Sequence, residues 1–390
     1  MKDEKKAPKL RFKGFTDDWE QCKLSDISEK SYEKNTDNKY STVLTNSAEY
    51  GIVKQRDFFD KDIANSSNIS GYYVVRKNYF VYNPRISNQA KFGPINRNKL
   101  DESGIMSPLY LVFTVHDIDE SFLETLFQTT TWHRFMYQNG DTGARADRFA
   151  IKDSTFMSMP IKVPSLEEQH KLALAFQKLD QTITLHEEKK HQLERLKSAL
   201  LQKMFADKSG YLPVRFEGFS NEWEHCKLGD VADITTGSRN HQDSVTDGKY
   251  PFFVRSDKVE RLNEYDFDTK AILVPGDGRI GEIFHYYNGK FALHQRVYKV
   301  DNFNGINELF LLGLFKYSFK EHALRLNAQG TVPSLRLPMF TNWSISVPMI
   351  TEQERIGVFF QKLERTISLY DHKLELLNKV KRSMLQAMFI

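Results

Sequence analysis

The sequence predicts an α+β protein built twice over. Two loop-rich mixed α/β segments are separated by two long helices that pair as an antiparallel coiled coil, with an internal pseudo-twofold repeat. Three observations predict this. The head RFKGFTDDWEQCKL at 11–24 recurs as RFEGFSNEWEHCKL at 215–228, so that Phe12 matches Phe216, Trp19 matches Trp223 and Cys22 matches Cys226. The run from VPSLEEQ at Val163 to LLQKMF at Phe205 recurs from VPMITEQ at Val347 to MLQAMF at Phe389. The stretches between head and tail do not match, and the second is shorter. Ends that repeat around middles that diverge suggest a duplicated scaffold presenting two different surfaces.

The expected order is a loop-rich segment over 1–160, a helical spacer over 161–208, a second segment over 209–346 and a second helix over 347–390. In the first segment, Tyr72–Arg76, Tyr79–Tyr82 and Leu109–Phe113 are β-rich runs bounded by turn residues. A helix is expected over 121–138, ending at Asn139-Gly140. In the second, Pro251–Val254, Ala271–Val274 and Val297–Val300 are expected strands, and a helix fits 307–327 with Gly330 beyond it.

Each tail opens with a candidate capping box, Ser165 with Glu168 and Thr351 with Glu354. Apolar residues then recur at spacings of three and four, the pattern of a helix with one buried stripe. The first stripe holds Leu172, Phe176, Leu179, Ile183, Leu193 and Leu200; the second holds Ile356, Phe360, Leu363, Ile367, Leu377 and Met384. His186, Lys190, Lys197 and Lys381 interrupt the seam, where polar residues fix register and pairing rather than add stability. A helix over 167–205 would be about 58 Å long, too long for a single segment to cover. The economical partner is the other helix, and the antiparallel pairing keeps the two segments from crowding at one end.

Several classes of function are excluded. The two cysteines, Cys22 and Cys226, build no disulfide framework and no Cys-x-x-Cys zinc site, so no metal site is expected and the setting reads as reducing and cytoplasmic. MKDEKKAPKL has no apolar core, so no secretory leader is expected, and no run approaches the ~20 apolar residues that span a bilayer. Gly276-Asp-Gly278-Arg-Ile-Gly281 matches G-x-G-x-x-G, but a dinucleotide site needs a helix next, and the chain continues as an aromatic strand into a turn at Asn288-Gly289. No Walker A, H-E-x-x-H or G-x-S-x-G is present, so no catalytic residues are assigned.

The polar residues of the segments are more informative. The first has Asn83, Arg85, Lys91, Asn96, Arg97, Arg145 and Arg148; the second has Arg239, Asn240, His241, Arg255, Arg279, His294, Gln295, Arg296 and Arg336. Arg and Lys match guanine edges, and Asn and Gln match adenine edges, so these residues are the candidate DNA contacts. Aromatic residues Phe92, Phe149, Phe284 and Tyr298 lie between them. The formal net charge is only +4 and the stretch 166–207 balances its acids and bases, so most of a phosphate clamp would have to come from elsewhere.

On the W-E-x-C-K-L heads and the V-P…E-Q…F-Q-K-L…L-Q…M-F helices, the whole chain resembles the DNA specificity (S) subunits, HsdS, of type I restriction–modification systems. Tyr40-Ser-Thr-Val-Leu, Gly51-Ile-Val-Lys-Gln, Ser107-Pro-Leu-Tyr110, Gly278–Gly281 and Phe291–Tyr298 look like elements of that family's target recognition domains. The resemblance implies that each segment reads one half of an asymmetric, bipartite double-stranded DNA target. It implies that the helices set the unread spacer and dock two methyltransferase (M) subunits, and that two restriction/translocase (R) subunits complete the assembly. S-adenosylmethionine, ATP and Mg2+ would then be used by the partners, with no cofactor and no catalysis in this chain. The alternative is a coiled-coil protein-interaction scaffold without DNA readout, which would show no salt-dependent, sequence-selective DNA binding.

Overall fold

The computed structural model describes residues 7–58, 69–142, 147–205, 212–327 and 333–390. The chain divides into two compact units, Met1–Leu185 with Leu374–Ile390, and His186–Lys373. The units therefore do not follow the four sequence segments. Each takes one α+β head, the opening turns of the long helix that follows it, and the closing turns of the other long helix. The long helices are Leu166–Met204 and Ile350–Met388, each 39 residues.

Both units are closed by the same frame. The head strand Glu20–Lys23 pairs antiparallel with Pro160–Val163, and Glu224–Lys227 pairs identically with Ser344–Val347. Each strand pair hands the chain directly to its long helix. There, Arg11 donates to both carboxylate oxygens of the fully buried Glu168 at 2.7 Å, and Arg215 does the same to Glu352 at 2.7 Å. The next residue continues the duplication. Gln169 accepts from the backbone N–H of Asp119 at 2.9 Å and donates to the Pro164 carbonyl at 2.8 Å; Gln353 accepts from Asn307 N–H at 2.8 Å and donates to Pro348 at 2.8 Å. Asp119 and Asn307 are themselves N-caps, of helices Glu120–Phe127 and Glu308–Leu314. One Arg–Glu–Gln set thus locks head strand, long helix and domain helix together. Close approach completes it: a Cβ on Gly357 would stand 2.8 Å from Asn307 Oδ1 and from Leu309 Cβ.

This arrangement corrects the capping expectation. Glu168 N donates to Ser165 Oγ at 3.4 Å, but the Glu168 carboxylate turns to Arg11 rather than back to the cap. In the second copy Thr351 lies inside the helix, and the backbone carbonyl of Met349 takes the first amides.

Within these frames the sheets differ. The first unit carries a four-stranded antiparallel sheet in the order Ser28–Lys30, Leu111–Val115, Phe80–Tyr82, Ile95–Arg97. The second carries six strands: Asp233–Thr236, Val297–Asp301, Phe267–Pro275, His285–Leu293, Tyr250–Phe253 and Glu260–Leu262, with the His285–Leu293 and Tyr250–Phe253 neighbours parallel. Four expectations shift. The helix expected over 121–138 breaks into Glu120–Phe127 and His133–Asn139, because the Thr129 hydroxyl takes the Leu126 carbonyl and the Trp132 indole takes that of Phe127. The run Leu109–Phe113 begins as a turn after Pro108, and its strand is Leu111–Val115. The strand after the glycine motif does not turn at Asn288-Gly289 but runs on to Leu293, with Gly289 at φ 131°. The helix expected over 307–327 forms as Glu308–Leu314 and Lys320–Leu326 joined by a π-helical turn at Phe315–Phe319; Gly330 lies outside the described residues.

The seam residues are all buried or half-buried. At the ends they serve domain cores rather than a free coil. Leu172 and Phe176 join Trp19, Phe122 and Phe389 in the first core, and Ile356 and Phe360 join Trp223, Phe310 and Phe205 in the second. Within each unit the two helix segments also pair antiparallel: Lys190 to Asp371 at 2.6 Å and Lys197 to Glu364 at 2.8 Å in the second unit, Lys381 to Asp180 at 2.7 Å in the first. The polar seam positions therefore set register through cross-helix pairs. Glu364 also accepts from Lys316 at 2.6 and 2.8 Å.

Arg11→Ala should leave Glu168 charged, buried and unpaired, and cost about 3–5 kcal/mol of stability in urea unfolding. Glu168→Gln added to it should recover part of that loss, and Arg215→Ala should behave alike in the second unit.

Candidate nucleic-acid interface

In the second unit, loops at one end of the sheet bring most of the predicted residues together. The bridge between Arg239 and His294 joins two of these loops, and the bridge between Asp277 and Ser334 ties the glycine loop to the approach of Arg336. The Gly276 N–H donates to the Arg296 carbonyl at 2.8 Å, and Leu335 N–H to the Gly276 carbonyl at 2.7 Å. Arg255, Arg279, Arg296, Arg336, Asn240, His241 and Gln295 are exposed along this rim. Gly278 and Gly281 sit at φ 75° and 66°, conformations that suit glycine, and a Cβ on Gly281 would stand 2.6 Å from Lys320 Cα. The loop is thus a packed turn that presents Arg279, followed by strand rather than helix.

Three of the four exposed arginines on the rim reach a carboxylate. Arg255 reaches Asp277 at 3.1 Å and Arg296 reaches the same oxygen at 3.7 Å. Arg279 pairs with Glu282 at 3.0 Å, and His241 with Glu260 at 3.0 Å. Gln295 donates to Asn240 at 2.6 Å. Arg239 does not belong to the exposed set: it is held by Asp266 at 2.8 Å and Glu264 at 2.9 Å, and buttresses the rim from below. His294 is buried; its Nδ1 accepts from the Arg296 N–H at 3.0 Å, and burial lowers the pKa of its ring, so it too is a support.

The first unit assembles fewer of its candidates. Arg85 and Arg148 are exposed and lie on bridged backbone, with Ile86 N–H to Asp147 at 3.0 Å and Phe149 N–H to Pro84 at 2.8 Å. Lys91 is exposed nearby, close enough to His133 for its charge, after burial, to lower that ring's pKa. Three others are structural. Asn83 is buried, donating to Asn46 at 2.9 Å and accepting from Arg85 N–H at 3.0 Å. Asn96 donates to Asn46 Oδ1 at 2.7 Å. Arg97 joins Glu120 and Glu124 at 3.1 and 2.9 Å, fastening strand to helix. Arg145 lies outside the described residues. The intervening aromatics face inward: Phe92 packs on Phe149 at 5.1 Å, Phe284 on Phe315 at 5.5 Å, and the Tyr298 hydroxyl donates to the Leu335 carbonyl at 3.2 Å.

Counting basic residues missed the acids that organise them. Asp277 was legible as the residue between two glycines of a loop already singled out; Asp266 and Glu282 carried no local signal. A cavity of about 480 Å³ lined by Phe253, Tyr286, Lys316 and Phe360 lies on the helix side and holds none of the predicted base-contacting residues. Among the described residues no three His, Cys, Asp or Glu cluster as metal ligands, and no helix is long and apolar enough to cross a membrane.

Two α+β heads on a shared frame, each with its own exposed polar rim, define a duplicated two-headed protein. The chain belongs to the type I restriction modification DNA specificity domain family, whose model matches residues 16–195 and again 220–379. It is 28% identical over 182 residues to the EcoDI specificity subunit of Escherichia coli, covering 45% of this chain and 38% of that one. It is 27% identical over 182 residues to the MjaVIII specificity subunit of Methanocaldococcus jannaschii, of which 42% is covered. It thus spans about two fifths of the length of these curated relatives. The MjaIX specificity subunit of the same organism is 23% identical over 361 residues, covering 81% of this chain and 73% of that one. The fold matches a type I restriction–modification S subunit from M. genitalium at a TM-score of 0.67 and 15% identity, over 98% of this chain and 99% of that one. A chain from a type I restriction–modification complex matches at a TM-score of 0.52 and 15% identity, over 94% and 96%.

The His294 ring has a folded pKa below its ordinary 6.5, so the stability it contributes is full above pH 6.5 and falls as pH drops through the lowered value. Protonation would also cancel the Nδ1 acceptor. His294→Asn should flatten the fall in thermal midpoint below pH 6.5, measured by pH-resolved melting.

Proposed function

We propose that this chain is a DNA sequence-specificity subunit whose two heads read different halves of one asymmetric, bipartite duplex target. The observation that carries this is the contrast between an identical frame and unlike rims. The Arg–Glu–Gln set is the same in both units, while Arg85, Lys91 and Arg148 mark one rim and Arg255, Arg279, Arg296 and Arg336 mark the other. An arginine on a rigid loop rim can offer paired N–H donors to a guanine edge in the major groove. On the second rim, pairing of Arg255, Arg279 and Arg296 with acids weakens sequence-independent grip, because that term follows phosphate neutralisation. The clamp on phosphates would come from two methyltransferase subunits, which would supply S-adenosylmethionine and flip the target adenine. Two restriction/translocase subunits would add ATP- and Mg2+-dependent cleavage. The length of the paired helices would set the unread spacer.

The seam residues offered as docking positions are occupied by helix pairing and domain cores, so a partner would bind the apolar residues left outside. In the first unit these include Leu174, Leu185, Leu376 and Val380; in the second, Leu196, Val358 and Leu369.

Co-expression with the methyltransferase subunit and genome-wide mapping of methylated adenine should reveal a two-part motif, with exchange of either head replacing one half only. Methylation indifferent to both heads would remove the reading. Arg279→Ala should cost ~1–3 kcal/mol of discrimination at one position if it makes a bidentate base contact. Leu376→Asp should abolish co-purification of the methyltransferase subunit with the thermal midpoint kept, whereas Leu363→Asp, which buries an unpaired charge in the seam, should lower the midpoint itself.

A further inference from the structure

Resting on that reading, we infer that Asp277 is a positioning residue for base discrimination, holding Arg255 and Arg296 as a two-armed fork on the second head. The carboxylate sits in the glycine loop that carries no dinucleotide. Its side chain is 18% exposed, against 49% for Arg255 and 62% for Arg296. One oxygen, Oδ2, meets both arms, accepting a hydrogen bond from a terminal nitrogen of Arg255 at 3.1 Å and standing in ionic contact with a terminal nitrogen of Arg296 at 3.7 Å. A guanidinium has five N–H donors, so each arm keeps donors free to meet a base edge while its position is fixed from behind.

The backbone makes the anchor rigid. Gly276 N–H donates to the carbonyl of Arg296 itself, Leu335 N–H donates to Gly276, and Asp277 bridges Ser334. A Cβ on Gly276 would stand 2.9 Å from that Arg296 carbonyl, so the acid is held against the arm it pairs with. Arg255 comes from another loop, two residues beyond the end of the strand Tyr250–Phe253, whose Phe253 carbonyl accepts from His294 N–H at 3.0 Å.

Two consequences follow. Without the acid, two neighbouring guanidinium groups would repel each other and splay towards phosphates. With it, the net charge of the fork falls from +2 to +1, which lowers its attraction to the backbone of any sequence and gives hydrogen bonding to the correct base edge a larger share of the gain. Asp277 therefore exchanges affinity for selectivity.

The test uses the complete methyltransferase complex. For wild type and Asp277→Asn, methylated motifs are mapped, and binding to cognate and scrambled duplexes is measured across a salt series. The expected result is degeneracy at one or two positions in the half assigned to the second head by head exchange, an intact other half, and a cognate-to-scrambled preference reduced about tenfold through stronger scrambled binding. Asp277→Asn on an Arg255→Ala/Arg296→Ala background should change nothing further; an additional change would show that the acid does not act through the fork. If Asp277→Asn lowers the melting temperature, Asp277→Glu, which keeps the charge, is compared instead and should retain the motif with weakened preference at the same positions. An unaltered motif and preference in the variant would overturn the role of Asp277 while leaving two-headed reading intact. A wild-type complex with no two-part motif would overturn both.

Discussion

A carboxylate buried at the first turn of a long helix cannot stand alone, and its need for a partner organises this protein. Glu168 and Glu352 are both fully buried, and each is met by an arginine from the head that begins its unit. The residue after each glutamate caps the chain entering a domain helix, through Asp119 or Asn307. A buried charge paired in this way fixes geometry more than it adds stability, because desolvation offsets much of the attraction. What it specifies here is where a head begins, where its long helix starts and how the helix beside it is oriented. The two copies can therefore carry a four-stranded and a six-stranded sheet on one frame.

The long helices extend that specification. Their ends are consumed by domain cores, where Phe389 stacks on Phe122 at 5.6 Å and Phe205 lies 5.8 Å from Phe360. Their middles are only half-buried and rely on charge for register. Lys190 with Asp371 and Lys197 with Glu364 are each seven residues apart on both helices, so a slip of one turn would break both pairs at once. The same positions interrupt an apolar stripe in the sequence, and the interruption is the source of the register.

The rims follow a different logic. Arginines that read bases must be exposed, yet exposed arginines bind any phosphate. Pairing them with carboxylates moderates the second tendency without removing the first. Such pairing accords with a formal net charge of only +4 in a chain of a DNA-specificity family. On the proposed reading, selectivity on such a surface would belong to the network of arms and anchors rather than to the count of basic residues.

The sequence by itself determined the duplication, the α+β class, the helix pairing and the face of each helix that is buried. All of these depend on periodicity or on repetition, which a linear pattern records. It also placed Arg255, Arg279 and Arg296 among the candidate contacts. Only the tertiary structure decided which polar residues are free. Arg97 has the same side chain as Arg85 and Arg148, and Asn83 and Asn96 the same as Asn240, but these three are spent on Glu120, Glu124 and Asn46. Nor could sequence find the capping glutamate's true partner, since Arg11 and Glu168 lie far apart along the chain and meet only when the head strand closes against Pro160–Val163. The physical reason is common to both cases: burial and hydrogen-bond satisfaction depend on neighbours in space, and a residue type states only what it could bond, not what stands beside it.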